Sequence, residues 1–167
     1  MANITVRDLK ALEAKAFIPK HYKLKVLKTS VPCSYDNEYG EGHYDLQPGD
    51  AKLEGTRGEH WSLNWENISK RYLFLDGKPV NPEECPYDQY VDIQTHPDHD
   101  ERRKSVIWVV DASLVSREPF EINGLVIDPA VDMLCMGGDE NEPNLDWGVW
   151  PVKREIFADT YELLNNE

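Results

Sequence analysis

The chain has 167 residues, of which 31 are Asp or Glu and 18 are Lys or Arg, giving a formal net charge of −13 at pH 7. This surplus of carboxylates disfavours unaided binding to a nucleic-acid backbone or an anionic membrane, so we expect basic, neutral or metal-bridged partners. The 40% of hydrophobic residues, with 5 Trp among them, is enough for a globular fold with its own core.

The first two predicted elements are a helix and a strand. Residues 3–17 place apolar side chains at near-helical spacing and predict an amphipathic helix that ends before Pro19. Residues 21–29 then alternate apolar and basic side chains, which predicts a strand with one solvated face. Asp36–Glu41 follows as an acidic loop.

A segment of the chain recurs later in a divergent form. The stretch from Trp61 to Tyr72 returns at a constant offset of 89 residues as the stretch from Trp150 to Tyr161, and Gly49-Asp50 falls on Gly138-Asp139 in the same frame. Gly-Asp is turn chemistry, and apolar residues follow each Trp at i, i+4, i+7 spacing. Residues 46–75 and 135–164 are therefore predicted to be two copies of one turn, strand and helix unit.

The tryptophans of this unit carry two different predictions. Trp61 and Trp150 match each other in the repeat, and we expect both to be mostly buried. Trp65 and Trp147 have no aromatic counterpart in the other copy, so an exposed position would make either one a contact residue.

The turn and the helix end together resemble a known family. Leu46-Gln-Pro-Gly-Asp50, Gly58-Glu59 and Trp61 in the first copy, and Trp150-Pro-Val152 with Phe157 and Tyr161-Glu162 in the second, are similar to the small phage and bacterial proteins named for a Pro-Gly-Asp-Tyr-Gly motif. Ala51 and Lys52 stand where the family has its Tyr and Gly. The resemblance implies a phage or bacterial setting and a compact fold, and it implies no reaction.

The remaining predicted elements lie after residue 77. Residues 78–104 are rich in Pro and carboxylates and predict an acidic connector. Residues 105–110 form a short, β-branched apolar run, which predicts a buried central strand. Residues 121–128 hold Asn-Gly between apolar residues and predict a hairpin.

These elements predict an α+β fold with a largely antiparallel sheet and about three helices, built from two copies of a turn-strand-helix unit. Residues 1–77 would hold the N-terminal helix and the first copy. Residues 105–167 would hold the second copy, packed with the first as one compact domain.

One stretch has the residue types of a metal site. His96, Asp98 and His99 lie within a few residues of one another, and imidazole with carboxylate suits zinc or manganese. The spacing matches no helical metal-binding motif, so solvated loop histidines are the alternative, and no cofactor is required by any other feature. The catalytic residues are unknown at this point.

The favoured function is a non-enzymatic, acidic interaction protein of phage type that binds a basic host protein, with inhibition of that partner as a sharper version. The candidate binding residues are Glu59, Trp65, Asp139, Glu140, Glu142 and Trp147. We expect the acidic loops to converge on one face. The alternative is a small enzyme acting on a nucleotide-like substrate, with His96 or His99 as general base and Glu59 or Asp50 orienting it.

Cysteine usage and hydropathy bear on location. Cys33, Cys85 and Cys135 are widely spaced and odd in number, which favours reduced thiols over a disulfide framework. No apolar run predicts a signal peptide or a membrane span, so we expect a cytoplasmic protein, in the host cell if it is phage-encoded.

Overall fold

A computed structural model describes residues 13–38, 42–122, 125–144 and 148–164. The chain divides into two compact units. The central unit is His21–Arg102, and the terminal unit combines Met1–Lys20 with Arg103–Glu167. In the described ranges, no helix has the length and apolarity needed to cross a membrane.

In chain order the strands are β1 (Lys15–Pro19), β2 (Lys23–Lys28), β3 (Cys33–Asp36), β4 (His43–Leu46), β5 (Ala51–Glu54), β6 (His60–Trp61), β7 (Tyr72–Phe74), β8 (Tyr90–Thr95), β9 (Ile107–Asp111), β10 (Phe120–Ile122), β11 (Leu125–Ile127), β12 (Asp132–Met136), β13 (Val149–Lys153) and β14 (Tyr161–Leu163). The helices are α1 (Trp65–Arg71), α2 (His99–Arg102) and α3 (Arg154–Thr160), with short 3-10 turns at Pro82–Glu84, Arg103–Ser105 and Ala112–Leu114. The fold is α+β, and the paired strands run antiparallel.

The central unit is a five-stranded sheet in the order β6-β5-β2-β8-β7. Side chains alternate across it, so Leu24, Val26 and Ile93 lie on a buried face, where Ile68 of α1 joins the same core cluster. The opposite face is polar: Lys25 of β2 is paired with Glu54 on one side and with Asp92 on the other. The β3–β4 hairpin is inserted in the chain between β2 and β5.

Local chemistry explains the position of α1. The Asn64 side-chain oxygen accepts a hydrogen bond from the Asn67 backbone N–H at 2.8 Å and caps the helix start. Glu66 and Lys70 form an i, i+4 ion pair at 3.1 Å on the exposed side. Ile68, with no exposed surface, anchors the helix to the sheet.

The terminal unit is also a five-stranded sheet, in the order β13-β12-β9-β1-β14. Its β10–β11 hairpin packs through Phe120 and Ile127 against the cluster that contains Val110 and Leu134 of the sheet. Phe157 of α3 packs edge-on against Phe17 of β1, with ring centroids 4.8 Å apart. The sheet is therefore covered by apolar contacts from both a hairpin and a helix.

Three predicted elements are confirmed. The strand predicted over residues 21–29 is β2, and the buried strand predicted over residues 105–110 is β9, the middle strand of the terminal sheet. The hairpin predicted over residues 121–128 is the pair β10–β11, although its Asn-Gly turn at 123–124 lies outside the described residues.

Two predicted elements need correction. The predicted helix over residues 3–17 is wrong at its end, because residues 15–17 belong to β1; residues 3–12 lie outside the described ranges. The predicted connector, residues 78–104, contains β8, which pairs with β2 and β7 inside the central sheet. The period-two alternation of Tyr90–Thr95 is short, and the surrounding prolines obscure it.

The constant offset of 89 residues holds for part of the predicted repeat. α1 maps onto α3 and β7 onto β14 without a gap. Upstream the offset fails, because Gly49-Asp50 precedes β5 whereas Gly138-Asp139 follows β12. Residues 55–59 connect β5 to β6 in the central unit, and residues 137–148 connect β12 to β13 in the terminal unit. The two Gly-Asp pairs therefore lie in turns that are not equivalent. Trp61 and Trp150, which were expected to be mostly buried, are both partly buried.

Candidate functional site

The β3–β4 hairpin of the central unit concentrates titratable side chains. Its register pairs Ser34 with Asp45, Tyr35 with Tyr44, and Asp36 with His43. Alternation therefore gives the hairpin two faces. The outer face carries Ser34, Asp36, His43 and Asp45, all exposed, and the inner face carries Cys33, Tyr35, Tyr44 and Leu46.

On the outer face, His43 lies between two carboxylates. Its Nδ1 is 2.7 Å from Asp36 Oδ1, and its Nε2 is 3.1 Å from Asp45 Oδ1. Hydrogen bonds to Asp36 and Asp45 raise the pKa of His43. The Ser34 hydroxyl donates to Asp45 Oδ1 at 2.6 Å, and this bond, followed by that from His43, lowers the pKa of Asp45. The three ionisable side chains remain 56%, 80% and 67% exposed for His43, Asp36 and Asp45.

A second imidazole between two carboxylates lies next to the hairpin. His60 Nδ1 is 2.5 Å from Glu38 Oε1, and His60 Nε2 is 3.1 Å from Glu54 Oε1. Glu38 Oε2 also accepts the His60 backbone N–H at 2.7 Å, so one carboxylate holds the residue by two groups. Burial acts to raise the pKa of Glu38, but the hydrogen bonds from His60 outweigh it and lower the pKa. The His60 side chain is only 18% exposed.

The contacts of His43 favour a protonated ring. A neutral imidazole has one N–H donor and one acceptor nitrogen, whereas an imidazolium has two donors. Both nitrogens of His43 face carboxylate oxygens, so the imidazolium form donates to Asp36 and to Asp45 at once. The geometry couples the charge of this surface to protonation.

Polar groups continue beneath the hairpin. The Lys52 ammonium lies 4.5 Å from the centre of the Tyr35 ring, and the Tyr35 and Tyr44 rings are 5.4 Å apart. The Tyr35 hydroxyl is buried and, within the described part of the chain, has no hydrogen-bond partner. Burial and then the neighbouring Tyr44 raise the pKa of Tyr35. Asn37 ties the hairpin to the sheet by donating to the His60 carbonyl at 2.7 Å.

The terminal unit provides an internal comparison for this attachment. Its β10–β11 hairpin lies in the chain between β9 and β12, as β3–β4 lies between β2 and β5. Phe120 and Ile127 hold it by apolar packing. The two hairpins therefore have equivalent places in the chain but different attachments, because the central one is also held by the contacts of Asn37 and Glu38 with His60.

The hairpin also differs from several other acidic sites in the side chains that contact its carboxylates. Three carboxylates of the terminal unit are paired with basic side chains, in Asp111–Arg154, Asp132–Lys153 at 2.9 Å, and Glu140–Arg103 at 3.2 Å. Asp36 and Asp45 share a single histidine instead. The hairpin's outer face therefore keeps a negative charge that a cation can approach.

The predicted acidic binding residues lie in the loop that follows β12. Asp139 is exposed, and its Oδ1 accepts the backbone N–H groups of Glu142 and Asn141, which lower its pKa in that order. Glu140 is paired with Arg103, and Glu142 is exposed. Asp139 and Glu140 therefore have identifiable structural contacts, and this loop carries less uncompensated charge than the sequence suggests.

The other predicted binding residues are placed differently from expectation. Glu59 is only 3% exposed, and its Oε2 accepts the Arg57 backbone N–H at 2.9 Å, so it is a turn-stabilising side chain and not a contact residue. Trp65 is half-buried against the central core and donates its Nε1–H to the Gly49 carbonyl at 2.7 Å. Trp147 lies outside the described residues. The expected convergence of the acidic loops on one face stays a prediction.

The predicted metal ligands do not gather around a common point. The ring Nε2 of His96 donates to the Lys70 carbonyl at 3.0 Å, in the last turn of α1. Asp98 Oδ1 accepts the Asp100 backbone N–H at 2.9 Å, and His99 is exposed. Over the residues that the structure describes, no cluster of three or more His, Cys, Asp or Glu side chains is arranged to hold a metal ion. His96 has a structural contact with the end of α1.

The sequence reasoning missed His43 and His60. A signal for His43 was present: Cys-Ser-Tyr-Asp and His-Tyr-Asp-Leu both alternate, which is the pattern of a two-faced hairpin. The signal for His60 is weaker, because Glu54 becomes its neighbour only through the pairing of β5 with β6 and Glu38 lies 22 residues away in the chain.

Comparison of the chain with family models, with curated proteins and with solved structures gives no match. The resemblance to the phage and bacterial family stays a prediction, and the function must be argued from the site itself.

Proposed function

We propose that this protein is a non-enzymatic interaction protein that binds a basic partner protein through the outer face of the β3–β4 hairpin. The observation that carries the proposal is the pairing of Asp36 and Asp45 with one histidine in place of a Lys or Arg. The net charge of −13 supports it, because the field of the whole chain attracts cations to this face. Inhibition of the partner is the sharper form of the same proposal.

The site suits side chains more than small ions. Asp36 and Asp45 are more than half exposed and lie on a short two-stranded hairpin. Exposed carboxylates of this kind offer open oxygen positions to a guanidinium or ammonium group. Rim-type charges act mainly through steering and association rate, so we expect an interaction that weakens as salt is added.

The alternative hypothesis, a small enzyme, is not supported by the contacts of the residues that were predicted as its general base and orienting carboxylates. His96 uses Nε2 to contact a backbone carbonyl, and Glu59 is buried in its turn. Asp50 accepts the Gln47 backbone N–H at 2.8 Å and stabilises another turn. These contacts give His96, Glu59 and Asp50 structural roles.

The test uses an oligoarginine peptide, whose charge is constant across the accessible pH range. The double variant Asp36→Asn/Asp45→Asn removes both carboxylates of the outer face. The matched control Glu118→Gln/Glu121→Gln removes two exposed carboxylates from the terminal unit and changes the net charge equally. Surface charge pairs contribute up to about 1 kcal/mol each, so the hairpin variant should bind roughly tenfold more weakly at low salt.

At 0.1 M salt, the higher of the two salt concentrations, the control variant should bind within about twofold of the wild type, because long-range charge is screened over about 10 Å there. Equal losses in the two variants would show that the peptide senses net charge and that the hairpin is not the binding surface. Titration by fluorescence anisotropy at two salt concentrations measures both effects.

A further inference from the structure

The described chain runs through the same succession of eight elements twice. The first pass is β1, β2, the β3–β4 hairpin, β5, β6, α1 and β7. The second pass is β8, β9, the β10–β11 hairpin, β12, β13, α3 and β14, with α2 and 3-10 turns between elements. We call these passes the first repeat, residues 15–74, and the second repeat, residues 90–163.

The two sheets are also equivalent strand by strand. The central order β6-β5-β2-β8-β7 and the terminal order β13-β12-β9-β1-β14 place corresponding elements at corresponding positions. The fourth strand is the one position at which a sheet contains a strand from the other repeat. In the central sheet it is β8, from the second repeat, and in the terminal sheet it is β1, from the first repeat.

The register of these fourth strands agrees residue by residue. On β7, Phe74 is opposite Ile93; on β14, the equivalent Leu163 is opposite Phe17. The next two pairs follow the same register. In the central sheet Leu73 is opposite Gln94 and Tyr72 is opposite Thr95. In the terminal sheet Glu162 is opposite Ile18 and Tyr161 is opposite Pro19. β1 and β8 therefore occupy the same place on equivalent neighbours.

We propose that the chain is a tandem duplication in which the two repeats have exchanged their first strands, so that each compact unit is completed by a strand from the other repeat. Exchange of equivalent elements keeps the number of paired strands in each sheet unchanged, because each first strand lies between the same two types of neighbour in either sheet. Residues 20–22, which connect β1 to β2, are enough for a hairpin in which β1 pairs with β2 of its own repeat. The exchange is therefore not forced by a connection that is too short.

The exchange bears on the candidate site. Tyr90 and Asp92 belong to β8, and Asp92 is paired with Lys25, which in turn is paired with Glu54. Burial raises the pKa of Tyr90, followed by the nearby Glu54 and Glu38 carboxylates. The polar face beside His60 is thus composed of residues from both repeats, and the first repeat alone cannot supply it.

Two matched variants test which sheet each first strand completes. Phe17 and Ile93 are equivalent in register, and both pack in their sheets. The substitution Phe17→Ala should accelerate native-state hydrogen exchange of the backbone amides in β9 and β14. The substitution Ile93→Ala should accelerate exchange of the backbone amides in β2 and β7. We expect at least about tenfold acceleration, as for truncation of large packed side chains.

Acceleration of β2 and β7 by Phe17→Ala would place β1 in its own repeat and overturn the exchange. Equal acceleration of both units by both variants would also contradict the assignment of each strand to one sheet. Neither outcome depends on a binding partner, so the result is independent of the proposed function.

Cleavage between the repeats provides a second test on the full chain. Residues 75–78 are exposed and form a turn, so a protease site inserted after Gly77 separates the two repeats without cutting a strand. The cleaved fragments should co-elute under native conditions and separate only in denaturant, because each holds a strand of the other's sheet. Elution as two separately folded fragments would refute the exchange.

Discussion

The Asp111–Arg154 ion pair of the terminal unit permits a worked prediction of acid stability. Arg154 contacts Asp111 with Nε at 3.2 Å and with a second guanidinium nitrogen, and it also donates to the Pro129 carbonyl at 2.9 Å. Hydrogen bonds from Arg154, and then from Ser113, outweigh burial and lower the pKa of Asp111 from 3.8 to about 2. The pair thereby joins β9, α3 and the turn before β12.

The magnitude follows from linkage. The fall in the pKa of Asp111 from 3.8 to about 2 corresponds to roughly 2.4 kcal/mol of unfolding free energy, at about 1.4 kcal/mol per pKa unit. Both side chains are about a third exposed, at 34% and 36%, so solvent screening reduces the expected contribution to about 1 kcal/mol. Because the folded-state pKa is the lower one, this contribution is complete above pH 3.8 and is lost as the pH falls towards 2.

The assay compares wild type and Asp111→Asn by urea unfolding at pH 7 and pH 2.5. The variant should be about 1 kcal/mol less stable at pH 7, and the difference should shrink to less than half at pH 2.5. Glu118→Gln, which changes an exposed carboxylate in the same unit, should show no difference at either pH. A difference between wild type and Asp111→Asn that stays constant across this range would refute the ion-pair argument.

Two further substitutions test close packing and a buried hydrogen bond. A Cβ added at Gly138 would meet the Glu142 carbonyl oxygen at 2.6 Å and Pro143 Cα at 2.8 Å, so Gly138→Ala should lower the free energy of unfolding by roughly 1–3 kcal/mol, measured by urea unfolding. Trp65→Phe keeps most of the ring but loses the donor to Gly49, and we expect a loss of about 1 kcal/mol at unchanged m-value. Stability equal to wild type in either variant would contradict the contact concerned.

The parts of the fold that the sequence predicts correctly are those specified by local chemistry. β9 is a β-branched apolar run, and the Asn-Gly signal in the sequence predicts the hairpin whose strands are β10 and β11. The i, i+4 spacing after each Trp is confirmed by α1 and α3. Each of these signals resides within a window of a few residues, where periodicity is informative.

The misplaced elements depend on distant pairing. β1 becomes a strand because Phe17 and Ile18 complete a sheet whose neighbours lie more than 80 residues further along the chain. Its local sequence also fits a helix, and tertiary context overrides that weak preference. β8 was hidden in the same way, since its partners β2 and β7 are separated from it in sequence and prolines surround it.

The candidate site shows the same division. Charge composition predicts that a basic partner is suitable, but composition does not show which carboxylates are already neutralised. Arg154, Lys153 and Arg103 neutralise carboxylates of the terminal unit, and only the folded structure reveals these pairings. In the 139–142 stretch Arg103 pairs with Glu140, whereas on the hairpin Asp36 and Asp45 contact His43, although both stretches look alike in sequence.

The two hairpins differ in the side chains that attach them to their sheets. An apolar attachment, as provided by Phe120 and Ile127, stabilises a hairpin by removing apolar surface from water. The central hairpin also has an apolar contact through Leu46, which is 4% exposed, and it adds the contacts of His60 with Glu38 and Glu54, whose side chains are 46% and 28% exposed. Ion pairs that are this exposed contribute little net stability, so the proposed binding surface, and not the attachment of the hairpin, is the role that we assign to these polar groups.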